Sequence, residues 1–292
     1  VDEQSLEAER PKLLGLAYRM LGIVADAEDA VQETYVRWYR LSADERAAID
    51  NPAAWLTRVA SRVCLDILGS ARVRRERYVG EWLPEPVPGD SALVGPAPVD
   101  PLDRVALDDS VSSALLVVLE SLTPAERVAF VLHDVFGVPF GEIAETVGRT
   151  PDAARQLASQ ARRRVRERRA GAASRAQHDA VARAFASATM TGDFDALVAL
   201  LDPDVVLRSD GGGKVTAARR PVEGAERVAR FLLGLPRLRP DAELVPVETG
   251  DGLGFLATIG GRTDTVVSII VAGDRITDLH LVRNPDKLTL WR

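Results

Sequence analysis

Between residues 79 and 105 the chain reads "VGEWLPEPVPGDSALVGPAPVDPLDRV", with prolines at 84, 86, 88, 96, 98 and 101. Proline has no amide hydrogen to donate and biases the residue before it away from the helix, so no continuous helix or strand can run through this stretch. An extended linker is expected there. What lies before it and what lies after it must each fold around a core of its own. A length of 292 residues allows two or three such domains.

The texture of the chain supplies the boundaries: a helical domain over 1–78, the linker over 79–105, a second helical domain over 106–170 and a domain of different character over 175–292. In the first, "PKLLGLAYRMLG" sets Leu13, Leu16, Ala17, Met20 and Leu21 on one stripe. "DAEDAVQETYVRWYRL" offers Asp26 as N-cap and an apolar stripe of Ala27, Val31, Tyr35 and Trp38. A third helix follows "NP" and buries Leu56, Val59, Ala60, Val63 and Ile67, although Gly69 weakens its far end. After the linker, "TPAE" at Thr123–Glu126 is a capping box with proline at the first helical position.

"EIAETVG" reads as a short helix stopped by Gly148. Thr150 then caps a second helix that opens on Pro151. On that helix Ala154, Leu157, Ala158, Ala161 and Val165 share the inward face. Asp152, Ala153, Arg155, Gln156, Ser159, Gln160 and Arg163 lie opposite. This is a helix-turn-helix pattern, whose second helix enters the major groove N-terminus first. Arg155, Gln156 and Ser159 suit base edges, since arginine matches guanine and glutamine matches adenine. Arg162, Arg163, Arg164, Arg166 and Arg168 suit phosphates, which position without specifying. A solvated basic helix end is the plainer account of the arginines, but the helix-turn-helix context favours DNA.

The formal net charge is −6, so any nucleic-acid contact has to be local. Asp29 and Glu33 lie one turn apart, beside Glu28 and Gln32, without a histidine or metal partner in sequence. They suit docking to a basic protein surface better than acid–base chemistry. Arg58 and Arg62, also one turn apart, lie near Trp55, a combination that suits single-stranded nucleic acid. Arg72, Arg74, Arg75 and Arg77 follow, with Tyr78. Trp55 itself reads as a core residue. One cysteine, Cys64, excludes a disulfide framework, and no metal site or cofactor is expected. The acidic "VDEQSLEAERPK" has no apolar signal region and no apolar run is long enough to cross a bilayer, so a cytoplasmic protein without membrane contact is expected.

Beyond residue 175 two helices lead into "DVVLRSDGGGK". After a further helix come the alternating runs "AELVPVET", "LGFLATIG", "TDTVVSIIVAG" and "RITDLHLVRN". Period-2 runs between Gly and Asp turns read as antiparallel strands. This last domain is therefore α+β, helices first and sheet after.

With these residues assembled, "DAEDAVQETYVRWYR", "NPAAWLTRVASRVCLDIL" and "LTPAERVAFVLHDVFGVPFGEIAETVGRTPDAARQLASQARRRVR" resemble regions 2 and 4 of extracytoplasmic-function (ECF) RNA polymerase sigma factors. "WLPEP" at 82–86, "DGGGK" at 210–214 and "NPDKL" at 284–288 are similar to the signatures of the sigma factor J-like subgroup. Its C-terminal extension resembles a SnoaL-like domain of the NTF2 fold, a cone-shaped α+β barrel. The fold class implied is multidomain: two all-α helical domains, sigma region 2 and a helix-turn-helix sigma region 4, followed by an NTF2-like cone.

The resemblance implies roles. Asp26, Glu28, Asp29, Gln32 and Glu33 would dock on the β′ clamp helices of core RNA polymerase. The segment from Leu41 to Pro52, with Asn51 and the Arg58/Arg62 face, would open and read the −10 element of promoter DNA. Arg149, Thr150, Asp152, Arg155, Gln156, Ser159, Arg162 and Arg163 would read the −35 element. Apart from the resemblance, the apolar Trp82 beside stiffening prolines, on a linker long enough to fold back, leads to a further expectation. Trp82 and Leu83 dock beside the two lysine-bearing turns as an inter-domain regulatory contact, with Glu81 or Glu85 near Lys214 or Lys287. Asp210, Asn284 and Asp286 belong to the same turns. Lysine is used only at 12, 214 and 287 in the whole chain, and a compact ammonium fits a tight loop better than a planar guanidinium.

Two alternatives stand beside an autoregulated sigma factor. One is a helix-turn-helix activator that needs neither the acidic helix nor the −10 helix. The other is a bifunctional protein whose cone binds or converts a small molecule. SnoaL-type cyclases use an Asp–His pair. Here His280 lies on a strand and Asp210 in the glycine-rich turn, and fold analogy does not establish catalysis. "GGGK" lacks the remaining elements of a phosphate loop. No catalytic residue is expected, and the sequence leaves open whether the cone binds a small ligand.

Overall fold

The computed structural model describes residues 3–76, 78–91, 93, 112–168, 171 and 173–291. They gather into two compact units. The first comprises Val1–Glu76, Ser91–Val111 and Leu115–Arg168, and the second Arg77–Asp90, Ser112–Ala114 and Arg169–Arg292.

The first unit is helical. α1 (Glu3–Leu21) buries Leu13, Leu16, Ala17, Met20 and Leu21, the stripe expected from its spacing. α2 (Val24–Arg40) begins two residues before the expected cap. Its N-cap is Ile23, which offers no side-chain acceptor, and Asp26 lies inside the first turn, where the helix dipole favours an anion. α3 (Ala43–Ala47) is a short helix held by a Ser42–Glu45 capping box.

α4 (Pro52–Glu76) runs unbroken past Gly69. Its buried apolar residues are Leu56, Ala60, Val63, Cys64 and Leu68, whereas Val59 and Ile67 are half-buried. The buried face is turned from the expected one because α4 packs on α1 and α2 and also meets helices of the later segment.

α5 (Ser113–Glu120) and α6 (Pro124–Phe130) come next, and α6 continues into a π-helical stretch, Val131–Val135. The Thr123–Glu126 capping box and Pro124 start α6 as expected. α7 (Phe140–Val147) ends on Gly148 at φ 64°, a left-handed conformation that glycine adopts without strain. α8 (Pro151–Arg168) then starts with the Thr150 hydroxyl accepting the Ala153 amide at 3.2 Å.

Two arginines join the early and late helices of this unit. Arg127 donates to the Met20 carbonyl at 2.8 Å and pairs with Glu120 at 2.6 Å. Arg19 donates to the carbonyls of Gly15 and Leu93 and lies 5.8 Å over the Phe136 ring. Both are buried, and burial pushes the guanidinium of Arg127 down to about 9 and that of Arg19 to about 10.

The second unit is α+β, with helices first. α9 (Arg175–Thr191) and α10 (Phe194–Leu200) precede β1 (Leu201–Asp210) and the short β2 (Val222–Glu223). α11 (Ala225–Leu238) is followed by β3 (Ala242–Thr249), β4 (Gly252–Ile259), β5 (Arg262–Ala272) and β6 (Arg275–Val282).

The sheet order is β2-β1-β6-β5-β4-β3. The four alternating runs, β3 to β6, pair antiparallel in succession as expected, and β1, for which the sequence indicated no partner, pairs with β6 in parallel and with β2 antiparallel. A helix and four strands separate β1 from β6, enough chain for a parallel return. Phe185, Leu197, Leu207, Val228, Phe255, Ile269 and Leu279 form the core between helices and sheet. The second unit thus has the helices-first, sheet-after α+β order expected of the last domain.

Candidate functional site

The recognition helix presents the faces its spacing implies. Ala154, Ala158, Ala161 and Val165 are buried and Leu157 is half-buried, while Asp152, Arg155, Gln156, Ser159, Gln160 and Arg163 are exposed. Arg149 and Thr150, also exposed, sit at the turn that precedes it. Arg155 is held by Asp152 at 2.7 Å and lies 5.3 Å from the Phe140 ring, so its guanidinium is oriented before any ligand arrives.

The arginines further along differ among themselves. Arg162 is half-buried and pairs with Asp134 at 2.6 Å, which holds its guanidinium above the usual arginine range. Arg164 reaches Glu126 at 3.1 Å, and Arg163 lies 3.9 Å from Glu167. Arg162 and Arg164 therefore brace α8 against α6 and the π-helical stretch, an anchoring that helical spacing could not reveal.

On α2 the carboxylates of Glu28 and Asp29 and the amide of Gln32 are exposed. Asp26 and Glu33 are half-buried, and Glu33 pairs with Arg37 at 2.8 Å. The same face carries Val36 and Tyr39, 36% and 52% exposed. The sequence reading passed over them. Apolar residues four and seven positions on from Gln32, off the buried stripe, were the available signal.

Asn51 accepts the Ala54 amide at 3.1 Å and so caps α4. Trp55 meets Trp38 edge to face with centroids 5.2 Å apart. Arg58 and Arg62 both turn to Glu145 on α7: Arg58 pairs with its carboxylate at 2.9 Å, and Arg62 donates to its carbonyl at 3.0 Å. The side chains of Arg72, Arg74, Arg75 and Arg77 lie outside the described residues.

In the second unit the three subgroup signatures converge. Asp210, at the end of β1, accepts four hydrogen bonds on its carboxylate. They come from the Tyr78 hydroxyl at 2.6 Å, the Gly212 amide at 3.0 Å, the Leu83 amide at 2.9 Å and the Lys287 ammonium at 2.8 Å. Lys287 also donates to the Leu83 carbonyl at 2.5 Å and lies 4.3 Å from the Trp82 ring and 5.2 Å from that of Tyr78. An ammonium among two oxygens and two ring faces fits where a planar guanidinium would not.

Asn284 donates to the Tyr78 hydroxyl at 2.9 Å, and its carbonyl caps the Asp286 amide at 3.1 Å. Glu85 accepts from Thr289, and Pro86 from the Trp291 indole at 2.8 Å. Asp210 pairs with Lys287 at 2.8 Å, and Asp286 pairs with Lys214 at 2.5 Å.

The glycine run has a steric reason. A Cβ on Gly212, at φ 61°, would stand 2.4 Å from the Asn284 amide. One on Gly211 would stand 2.5 Å from the Val215 carbonyl. Two further links hold chain against this domain: Ser113 Oγ lies 3.2 Å from His280 Nδ1, and the Ala114 amide donates to Asp251 at 3.1 Å. The Asp–His pair of a cyclase is thus not assembled from Asp210 and His280, since Asp210 is fully engaged in the clasp. A cavity of about 490 Å³ lies among α10, the start of β1 and α11, and no clasp residue lines it.

Comparison with known proteins agrees with this organisation. The family described as Sigma-70 region 2 matches residues 6–77, and that described as Sigma-70, region 4 matches 112–165. The ECF RNA polymerase sigma factor SigJ of Mycobacterium tuberculosis is 43% identical over 302 residues, covering 99% of this chain and 94% of that protein. The probable ECF RNA polymerase sigma factor SigI of the same organism is 39% identical over 96% of this chain and 92% of its own length. The crystal structure of M. tuberculosis SigJ superposes with a TM-score of 0.75 at 37% identity, covering 99% of this chain and 98% of that one. With both sigma regions matched and relatives aligned end to end, the chain belongs to the ECF RNA polymerase sigma factors.

Proposed function

We propose that this sigma factor, which acts with core RNA polymerase at promoter DNA, restrains itself through its fused extension. The observation that supports this reading is the cluster of buried Lys287, Asp210 and Leu83 with half-buried Tyr78 and Trp82. Through it the extension grips the linker between regions 2 and 4, proposed to span 79–105, while Asp251 and His280 grip Ser113 and Ala114 at the start of region 4. A linker held near both ends limits how far the two regions can separate to meet two promoter elements. Lys214, Asn284, Asp286 and Glu85 support the cluster from its rim.

Within the sigma regions, Asp26, Glu28, Asp29, Gln32 and Glu33 are the proposed docking face for the β′ clamp helices, extended by Val36 and Tyr39. Asn51, Arg58 and Arg62 face the −10 element. Arg149, Thr150, Asp152, Arg155, Gln156, Ser159 and Arg163 face the −35 element, with Arg162 acting mainly as a brace. Members of this family initiate transcription and are not enzymes. A small ligand of the extension would have room in its 490 Å³ cavity and would act as an inducer.

Transcription from a matched promoter by core polymerase and the full-length chain tests the restraint. Trp82→Ala, which removes the ring over Lys287, should raise output, and output equal to the wild type overturns the proposal. Arg155→Ala should relax preference at one −35 base pair by about 1–3 kcal/mol, whereas uniform weakening across promoters would make Arg155 a phosphate contact.

A further inference from the structure

We propose that Glu145 is an internal competitor for promoter DNA, occupying in the free chain the two arginines that the −10 strand must use. The proposal rests on the reading of Arg58 and Arg62 as the −10 face. The Glu145 carboxylate meets Arg58 at 2.9 Å, and its carbonyl meets Arg62 at 3.0 Å. That carbonyl belongs to the last turn of α7, where main-chain oxygens lack helical partners and the helix dipole is negative. A carboxylate and a helix C-terminus side by side offer two arginines the chemistry of a phosphodiester: oxygen acceptors and negative charge. Both arginines belong to region 2, and Glu145 to the first helix of the region 4 helix-turn-helix.

The same device recurs in the opposite direction. Arg127 of region 4 donates to the Met20 carbonyl, in the last turn of α1 of region 2. Each region thus places an arginine on a helix C-terminus of the other. The Glu145 end is built to open, with the Glu145 side chain 60% exposed and that of Arg58 35%. The Arg127 end is buried but imperfect, for its Nε has no hydrogen-bond partner among the described residues. Separation would return that nitrogen to water and so offset part of what the contact loses.

An exposed ion pair of this kind shifts an equilibrium by a factor of about 2–5. Glu145 therefore sets a threshold that DNA crosses and does not act as a lock. The test uses the full-length chain and a fluorescein-labelled, A/T-rich 20-nucleotide single strand, with affinity read by anisotropy at low salt. Glu145→Gln should bind about 2–5-fold tighter than the wild type. The gain should vanish when Arg58→Ala and Arg62→Ala are added. If Glu145→Gln binds like the wild type while the arginine variants bind more weakly, the competitor is overturned and the −10 reading stands. If the arginine variants bind normally, the −10 reading falls and the competitor with it. A gain that persists without the arginines is general charge repulsion and also overturns the proposal.

Discussion

Two cation–anion contacts in this molecule use the same chemistry and differ in burial. Arg58–Glu145 in the helical unit spans 2.9 Å with side chains 35% and 60% exposed, and Lys287–Asp210 in the α+β unit spans 2.8 Å with side chains 5% and 0% exposed. Distance therefore says little about what each contributes. Water screens the first, so its net worth is about 0–1 kcal/mol. The second is excluded from water and stabilises only because every Asp210 oxygen and the ammonium are otherwise satisfied. Water reaches the first contact and not the second, so the first opens more readily than the second.

The largest expected effect is on the buried side. Lys287→Met leaves the Asp210 carboxylate buried without its cation and should cost about 3–5 kcal/mol, read as a lower urea midpoint for the unfolding of the α+β unit. A loss below 1 kcal/mol would put the clasp in the same class as Arg58–Glu145 and erase the contrast. Gly212→Ala should follow, at about 1–3 kcal/mol, because alanine would be forced into the left-handed region and its Cβ would meet Asn284. Unchanged stability there would mean that the turn can yield.

A pH titration separates the two contacts further. Burial first, and then the hydrogen bond to Asp210, push the Tyr78 hydroxyl above the usual tyrosine range. The folded state therefore holds this proton more tightly than the unfolded chain. The contribution of Tyr78 is complete below the ordinary tyrosine value of about 10 and is lost as pH rises through the higher folded value. Stability of the α+β unit should fall above pH 10 in the wild type and fall less steeply in Tyr78→Phe. Equal slopes would show that the phenol does not report on the clasp.

The smallest effect is expected at the exposed pair. Glu145→Gln should change unfolding of the helical unit by less than about 1 kcal/mol, and raising salt from 0.05 to 0.5 M should shrink the difference. A larger or salt-independent loss would make Glu145 a structural residue.

Much of the architecture was legible because it depends on short-range rules. The Thr123–Glu126 box and Gly148 fixed two helix ends, whereas residues 92 and 94–105 of the linker expected over 79–105 lie outside the described residues. The Ala154–Ala158–Ala161–Val165 spacing fixed which face of α8 turns outward. Each of these is a local property of backbone geometry and helical period. The Asp26 cap was misjudged by three residues because Ile23 can begin a helix with no side-chain acceptor when tertiary packing holds α2 in place. The parallel β1–β6 pairing escaped for a similar reason: alternation shows that a segment is a strand and says nothing of its neighbour's direction.

The sequence by itself determined the helix-turn-helix, the basic recognition face, the acidic α2 and the likeness of three short signatures to one subgroup. It also marked Lys214 and Lys287 as unusual in a chain that otherwise uses arginine almost throughout. Only the tertiary structure decided which oxygens those lysines meet, that Arg162 and Arg164 brace α8, and that Arg58 and Arg62 share Glu145, 87 and 83 positions away along the chain. Such pairings join residues far apart in sequence, and no local period or propensity encodes them. They follow from where packed helices and strands leave a charge facing an acceptor.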